Sequence, residues 1–269
     1  MVGPVTTLLR LPGDGAMLAV EVRGEGPALL LVHGFPFDHA MWSQQLGGVS
    51  GWRCIAPDLR GTGASDVPAD GYSMARYAED LRGISAALDL QTLVCCGFSM
   101  GGYILFEFLR RYPHLVRALI LCDTKAEPDT LEGQRARDEH VALVERDGLA
   151  ALADLLLPKL LGATSRARNP SLTERVRAMV RRQPIAGVVG ALRAMRDRPD
   201  STSLLSGLSV PTLVICGAED AVTPPALAKS MAQRIPAGRY VEVEGAGHLS
   251  PLEQPDRVTQ AVRDFLAGL

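Results

Sequence analysis

The sequence lacks an apolar run long enough to cross a bilayer, which takes about 20 consecutive residues. It also lacks an excess of either charge: 28 Lys and Arg stand against 30 Asp and Glu, a formal net charge of −2. That balance gives no electrostatic reason to bind nucleic acid or an anionic membrane surface. The first residues, Met1-Val2-Gly3-Pro4-Val5, have neither the basic nor the apolar region of a signal peptide. Cysteine is scarce and odd in number, with five residues and no zinc-ligand spacing among them. Cys54, Cys95, Cys96 and Cys216 lie in or beside apolar strand-like runs and Cys122 ends another, as small buried residues do. The glycine-rich Arg60-Gly61-Thr62-Gly63-Ala64-Ser65 lacks the Walker lysine and the Rossmann spacing. No internal repeat or low-complexity tract is present. These absences point to a cytoplasmic protein with no metal, no cofactor and no disulfide framework, acting on a small molecule. They leave its oligomeric state open.

The chain has 269 residues, 47% of them hydrophobic, enough for one large core. Leu8 to Leu11 and Met17 to Val22 read as antiparallel strands around Pro12-Gly13-Asp14-Gly15, and Gly24-Glu25-Gly26-Pro27 breaks the chain. Ala28 to Val32, Arg53 to Asp58, Leu93 to Phe98, Val116 to Cys122, Val210 to Gly217 and Arg239 to Val243 are further strand-like runs. Continuous apolar runs of this kind suit strands covered on both faces. Helical periodicity fills Ser73 to Leu90, the stretch after Ser99, the stretch from Pro225 to about Ile235, and Pro255 to Leu266. The alternation predicts an α/β chain with a mostly parallel sheet covered by helices on both faces.

From 125 to 201 the alternation stops and only helical patterns remain. This predicts a helical cap inserted into a core of residues 1–124 and 202–269. Gly148 to Leu161 carries a leucine-rich face, Ser171-x-x-Glu174 reads as a capping box, and Pro184 as the first residue of another helix. The segment contains no Phe, Tyr or Trp. The expected pocket wall is therefore aliphatic, with few polar anchors. Arg135, Arg137, Arg177, Arg181 and Arg182 are expected on a solvated face.

The chemistry centres on Gly97-Phe98-Ser99-Met100-Gly101, set between a strand-like run and a helical one. Such a turn exposes the serine hydroxyl, with glycines where backbones pass closely. A serine needs a base to take its proton and an acid to orient that base. Asp220 and His248 each follow a strand-like segment, where loops gather at one edge of a parallel sheet. Glycines at 245 and 247 let the His248 loop reach Ser99. Asp123, after the strand before the insert, is an alternative acid, and Glu219 a third. His33 is expected to hold its loop by side-chain hydrogen bonds rather than act as base.

Together, His33-Gly34-Phe35-Pro36, Gly97-Phe98-Ser99-Met100-Gly101-Gly102, Leu121-Cys122-Asp123-Thr124, Arg198-Pro199-Asp200-Ser201 and Gly247-His248 resemble the serine α/β-hydrolases. More closely, they resemble bacterial carboxylesterases related to 3-oxoadipate enol-lactonases. The resemblance implies an α/β-hydrolase fold with an eight-stranded, mostly parallel sheet. It implies a Ser99–His248–Asp220 triad, and an oxyanion hole from the backbone N–H groups of Phe35 and Met100. Phe37, Leu249 and the Met100 side chain are then expected to line the substrate pocket. The implied activity is cofactor-free hydrolysis of short- to medium-chain carboxylic esters. Lactone hydrolysis, haloperoxidase-type perhydrolysis and a non-enzymatic ligand receptor are the alternatives. Serine at the elbow, where dehalogenases and epoxide hydrolases carry aspartate, argues against those two activities.

Overall fold

The computed structural model describes residues 5–12 and 14–269. Met1 to Pro4 and Gly13, which carry the signal-peptide reading and part of the first turn, lie outside the described residues. Eight strands among the described residues form one sheet. They are β1 (Val5–Arg10), β2 (Met17–Arg23), β3 (Ala28–Val32), β4 (Arg53–Pro57), β5 (Leu93–Phe98), β6 (Val116–Cys122), β7 (Thr212–Gly217) and β8 (Gly238–Val243). The strand order is β1-β2-β4-β3-β5-β6-β7-β8. β1 and β2 run antiparallel to their neighbours, and the strands from β4 to β8 are parallel. β1 starts at Val5, earlier than the sequence suggests, and ends at Arg10, after which Leu11 leaves the ladder and buries in the core.

Helices α1 (Ser43–Gly48), α2 (Met74–Ala87) and α3 (Met100–Arg111) precede the insert. α4 (Leu131–Leu160), α5 (Ala163–Arg168), α6 (Pro170–Arg181) and α7 (Ile185–Arg196) form it. α8 (Pro225–Arg234), α9 (Ser250–Glu253) and α10 (Pro255–Leu266) follow. Side chains alternate across each strand, so the sheet divides two cores. Leu30 and Val32 of β3 pack with Tyr77, Leu81 and Ile84 of α2, Ile104 and Phe108 of α3, and Ala228 of α8. Leu29 and Leu31 face the other way, with Leu46 of α1 and Val258, Val262 and Phe265 of α10. Both faces being covered explains why β3, β5 and β7 are apolar without alternation.

Single residues set where the helices of the insert break and begin. Gly148, at φ 76 and ψ −173, breaks α4 into two helical stretches. The capping box at Ser171 does not form. Asn169 caps α6 by accepting from Leu172 N, and Ser171 Oγ donates to Asn169 Oδ1 at 2.7 Å. Pro170 takes the first helical position, where a missing N–H is tolerated, so the helix starts before Ser171. Pro184 sits just outside α7, in extended conformation, and Ile185 begins the helix. Of the arginines expected in solvent, Arg182 is half exposed and also pairs with buried Asp38, its Nε 2.8 Å from Oδ2 and one terminal nitrogen 2.6 Å from Oδ1. Arg137 turns toward the sheet edge described next.

Candidate active site

Ser99 is the single residue between β5 and α3. Its backbone lies at φ 50 and ψ −113, a region that costs a non-glycine residue about 1–3 kcal/mol. Hydrogen bonds to its backbone hold it there. Ser99 N donates to Cys122 O at 2.9 Å, Gly102 N to Ser99 O at 2.9 Å, and Thr124 Oγ1 to Ser99 O at 2.8 Å. Two glycines make room. A Cβ on Gly97 would meet the Gly101 backbone at 2.7 Å, and one on Gly101 would strike the Val32 carbonyl of β3. The second contact lies one strand further than the sequence suggests.

The loops after β7 and β8 bring two side chains to this turn. Ser99 Oγ lies 2.9 Å from His248 Nε2, and His248 Nδ1 lies 2.9 Å from Asp220 Oδ2. Asp220 also accepts from Thr223 Oγ1 at 2.7 Å and from the N–H groups of Val222 and Thr223 at 2.7 and 2.9 Å. Burial opposes the charge on Asp220, but His248 and these donors outweigh it and hold its pKa below the ordinary value. An ionised Asp220 fixes the proton on Nδ1 and leaves Nε2 free to accept from Ser99. The Phe98 ring stands 5.1 Å from the imidazole and gives it an apolar flank.

The alternative acids are engaged elsewhere. Asp123 accepts from Gly217 N at 2.8 Å and Ser250 Oγ at 2.5 Å and makes no hydrogen bond to His248. Complete burial, then the charge of Asp220, push its pKa well above the carboxylate range. Glu219 accepts from Thr164 N at 2.9 Å and from the Thr164 hydroxyl. His33 is fully buried and ties its loop to the next. Its Nε2 accepts from Leu59 N at 3.0 Å, so Nδ1 donates to Gly34 O at 2.9 Å.

Phe35 follows β3 and Met100 opens α3. Neither backbone N–H has an acceptor among the described residues. Both residues lie beside Ser99, one in the loop after β3 and one at the first position of α3.

A cavity of about 270 Å³ opens onto Ser99 and His248, with Phe35 and Tyr103 in its wall. Phe37 and Leu249, expected in the pocket, are instead fully buried, packed with Phe98 and Trp42 in the core beneath α10. The Met100 side chain likewise enters the opposite core. All three were expected in the pocket, and the structure places them in the cores instead. The aliphatic wall is also only half right. Leu155, Leu156, Leu160 and Met195 are present, but so are Asp129, Arg137, His140 and Lys159 of the insert. The missing aromatic surface comes from the core, through Tyr103 and Phe35.

Glu253 was not visible from sequence as part of this site. Its Oε1 accepts from Gly247 N at 2.9 Å and Leu249 N at 3.0 Å, the residues flanking His248. Its Oε2 accepts from Gly162 N of the insert at 2.8 Å. One carboxylate thus clamps the His248 loop against the turn after α4, and only the fold reveals those donors. Glu253→Gln keeps the shape but leaves one acceptor oxygen for three N–H groups. It is expected to lower kcat roughly ten-fold or more through misplacement of the imidazole, with less change in KM. Steady-state kinetics beside a thermal melt check this, and an unchanged kcat contradicts it.

Two groups lie within metal-ligating reach of one another: Asp38, His39 and Asp58, and Asp123, Cys216 and Asp220. Their carboxylates already accept protein hydrogen bonds, Asp38 from Arg182 and Gln183, and Asp58 from His39 and Ala64. No helix among the described residues is long and apolar enough to cross a membrane.

This architecture has counterparts. Over 99% of both chains the structure matches that of a thermophilic esterase from Thermogutta terrifontis in a malate-bound form, at 40% identity and a TM-score of 0.94. The enol-lactonase from Burkholderia xenovorans is similar at 28% identity, over 97% of this chain and 100% of that one, with a TM-score of 0.89. By sequence, 3-oxoadipate enol-lactonase 1 of Acinetobacter baylyi is 29% identical over 264 residues, 95% of each chain. Residues 27–255 match the model of the alpha/beta hydrolase fold, and the chain belongs to that family.

Proposed function

We propose that the protein is a serine carboxylesterase acting on short- to medium-chain carboxylic esters through an acyl-enzyme. The observation that carries this reading is the relay from Ser99 Oγ to His248 Nε2 and from Nδ1 to Asp220, 2.9 Å at each step. His248 takes the Ser99 proton as Oγ attacks the ester carbonyl. The N–H groups of Phe35 and Met100 receive the oxyanion, each worth a few kcal/mol. His248 then protonates the leaving alcohol, and a water activated by the same imidazole releases the acid. Asp220 keeps the proton on Nδ1 throughout. No cofactor enters these steps. Residues 125–201 serve as the cap over the site. The five buried free thiols suit a reducing compartment such as the cytoplasm.

The similarity to enol-lactonases supports a second reading, in which the ester is closed in a ring and the leaving alcohol stays tethered to the acid. A chain-length series of para-nitrophenyl esters, with an enol-lactone beside it, separates the two. The cavity volume leads us to expect kcat/KM to peak at short acyl chains and fall beyond them. A flat or long-chain preference contradicts the closed site. Faster turnover of the lactone than of every linear ester favours the second reading.

A further inference from the structure

The loop that carries Phe35 leaves β3 and turns back at once, Phe37 N donating to Gly34 O at 3.0 Å. Pro36 has no N–H to anchor this turn, and Phe37 is buried apolar packing. The turn therefore relies on polar side chains at its two ends. At the entry, His33 accepts from Leu59 N at 3.0 Å. At the exit stand His39 and Asp38. His39 N and Nδ1 both meet Asp58 Oδ1, at 2.8 and 2.6 Å, a contact inside the core. Asp38 reaches the insert instead. It is buried, and Arg182 grips both of its oxygens, at 2.6 and 2.8 Å. Gln183, also buried, donates Nε2 to Asp38 Oδ2 at 2.8 Å and accepts through Oε1 from Gly63 N at 3.0 Å. Burial opposes the charge on Asp38, but Arg182 and Gln183 outweigh it and hold its pKa below the ordinary value. The junction of α6 and α7 is thus pinned to the loops after β3 and β4 together. Backbone packing beside it leaves little slack, for a Cβ on Gly187 of α7 would strike the Gly61 carbonyl. A two-pronged guanidinium on a buried carboxylate fixes angle as well as distance.

We infer that Asp38, gripped by Arg182 and Gln183, is a positioning residue for the oxyanion hole, so that the seating of the insert aims the Phe35 N–H at the ester carbonyl. This rests on the esterase reading, in which that N–H receives the oxyanion. Phe35 and Asp38 flank the same tight turn, so a shift at one is passed to the other. A donor stabilises an oxyanion fully only when it is aimed at the place where the charge develops. The insert then acts on the rate of the chemistry and not only on what fits the cavity.

The test asks whether the loss falls on the transition state. Arg182→Ala, Gln183→Ala and Asp38→Asn are each expected to lower kcat on para-nitrophenyl butanoate about five-fold or more, with KM within about two-fold of wild type. A butyl trifluoromethyl ketone gives the second readout. Ser99 Oγ adds to its carbonyl carbon, the Ser99 proton passes to His248, and the carbonyl oxygen becomes an oxyanion. Its inhibition constant is expected to rise in each variant by about the factor that kcat falls. The matching trifluoromethyl alcohol forms no oxyanion, and its inhibition constant is expected to stay unchanged. Arg182→Lys keeps the charge but does not span both oxygens, and is expected to recover only part of the loss. Asp38→Asn combined with Arg182→Ala is expected to lose little more than the worse single variant, because both remove one contact. Thermal melts accompany the kinetics, and half-exposed Arg182 keeps the test open should Asp38→Asn misfold. A lowered melting temperature with kcat and the ketone constant unchanged overturns the positioning role, as does a change in KM alone. If the wild-type enzyme turns over the ester and binds the ketone, that failure leaves the esterase reading standing. If it does neither, the esterase reading itself falls and this inference with it.

Discussion

Ser99→Ala is expected to lower ester kcat on the order of 10⁴- to 10⁶-fold while leaving the fold intact and KM little changed. The reasoning starts from what the hydroxyl does. Its Oγ has one side-chain partner, His248, so alanine removes the nucleophile and one hydrogen bond only. The strained turn is fixed by backbone groups and by Thr124, none of which depends on Oγ. The Phe35 and Met100 donors remain, so a residual rate above the uncatalysed one is expected. Steady-state kinetics and a melting curve decide the matter. Activity within ten-fold of wild type would remove Ser99 from the mechanism.

The second large effect separates two buried aspartates at neighbouring strand ends. Asp220→Asn is expected to lower kcat on the order of 10⁴-fold, because an amide no longer enforces the tautomer in which Nε2 accepts from Ser99. Asp123→Asn is expected to cost at most about ten-fold, since Asp123 meets Gly217 and Ser250 and not the imidazole. A pH signature accompanies it. A carboxyl whose pKa is raised on folding stabilises the native state at low pH, and that contribution is lost as pH rises through the folded value. Asparagine does not titrate, so the melting temperature of Asp123→Asn relative to wild type should climb with pH across that window. Equal losses of activity in the two variants, or the reverse ranking, would reassign the acid.

The strands and the helices of the core were legible because burial on both faces writes itself as continuous apolar runs, and β3, β5, β6 and β7 fall where those runs lie. The likeness to esterases and enol-lactonases could be read from the motifs and stands in the comparisons. The Gly97-Phe98-Ser99-Met100-Gly101 turn marks Ser99, loop position after strands marks His248 and Asp220, and the fold brings the three within hydrogen-bond reach. What escaped depends on direction. Phe37 and Leu249 are as apolar as a pocket residue needs to be, but their side chains point into the core beneath α10. Arg137 and Lys159 lie on a helical segment whose broken periodicity at Gly148 hides which face meets the cavity. Glu253 acts on backbone N–H groups, which carry no residue identity and so leave no mark in a sequence.

The central claim is that Ser99 becomes covalently acylated with His248 as its base. Labelling by a fluorophosphonate followed by peptide mass mapping tests it most directly. One adduct per chain is expected, on the peptide bearing Ser99, forming orders of magnitude more slowly in His248→Ala. An adduct on another residue, or continued ester hydrolysis by a protein fully labelled at Ser99, would contradict it.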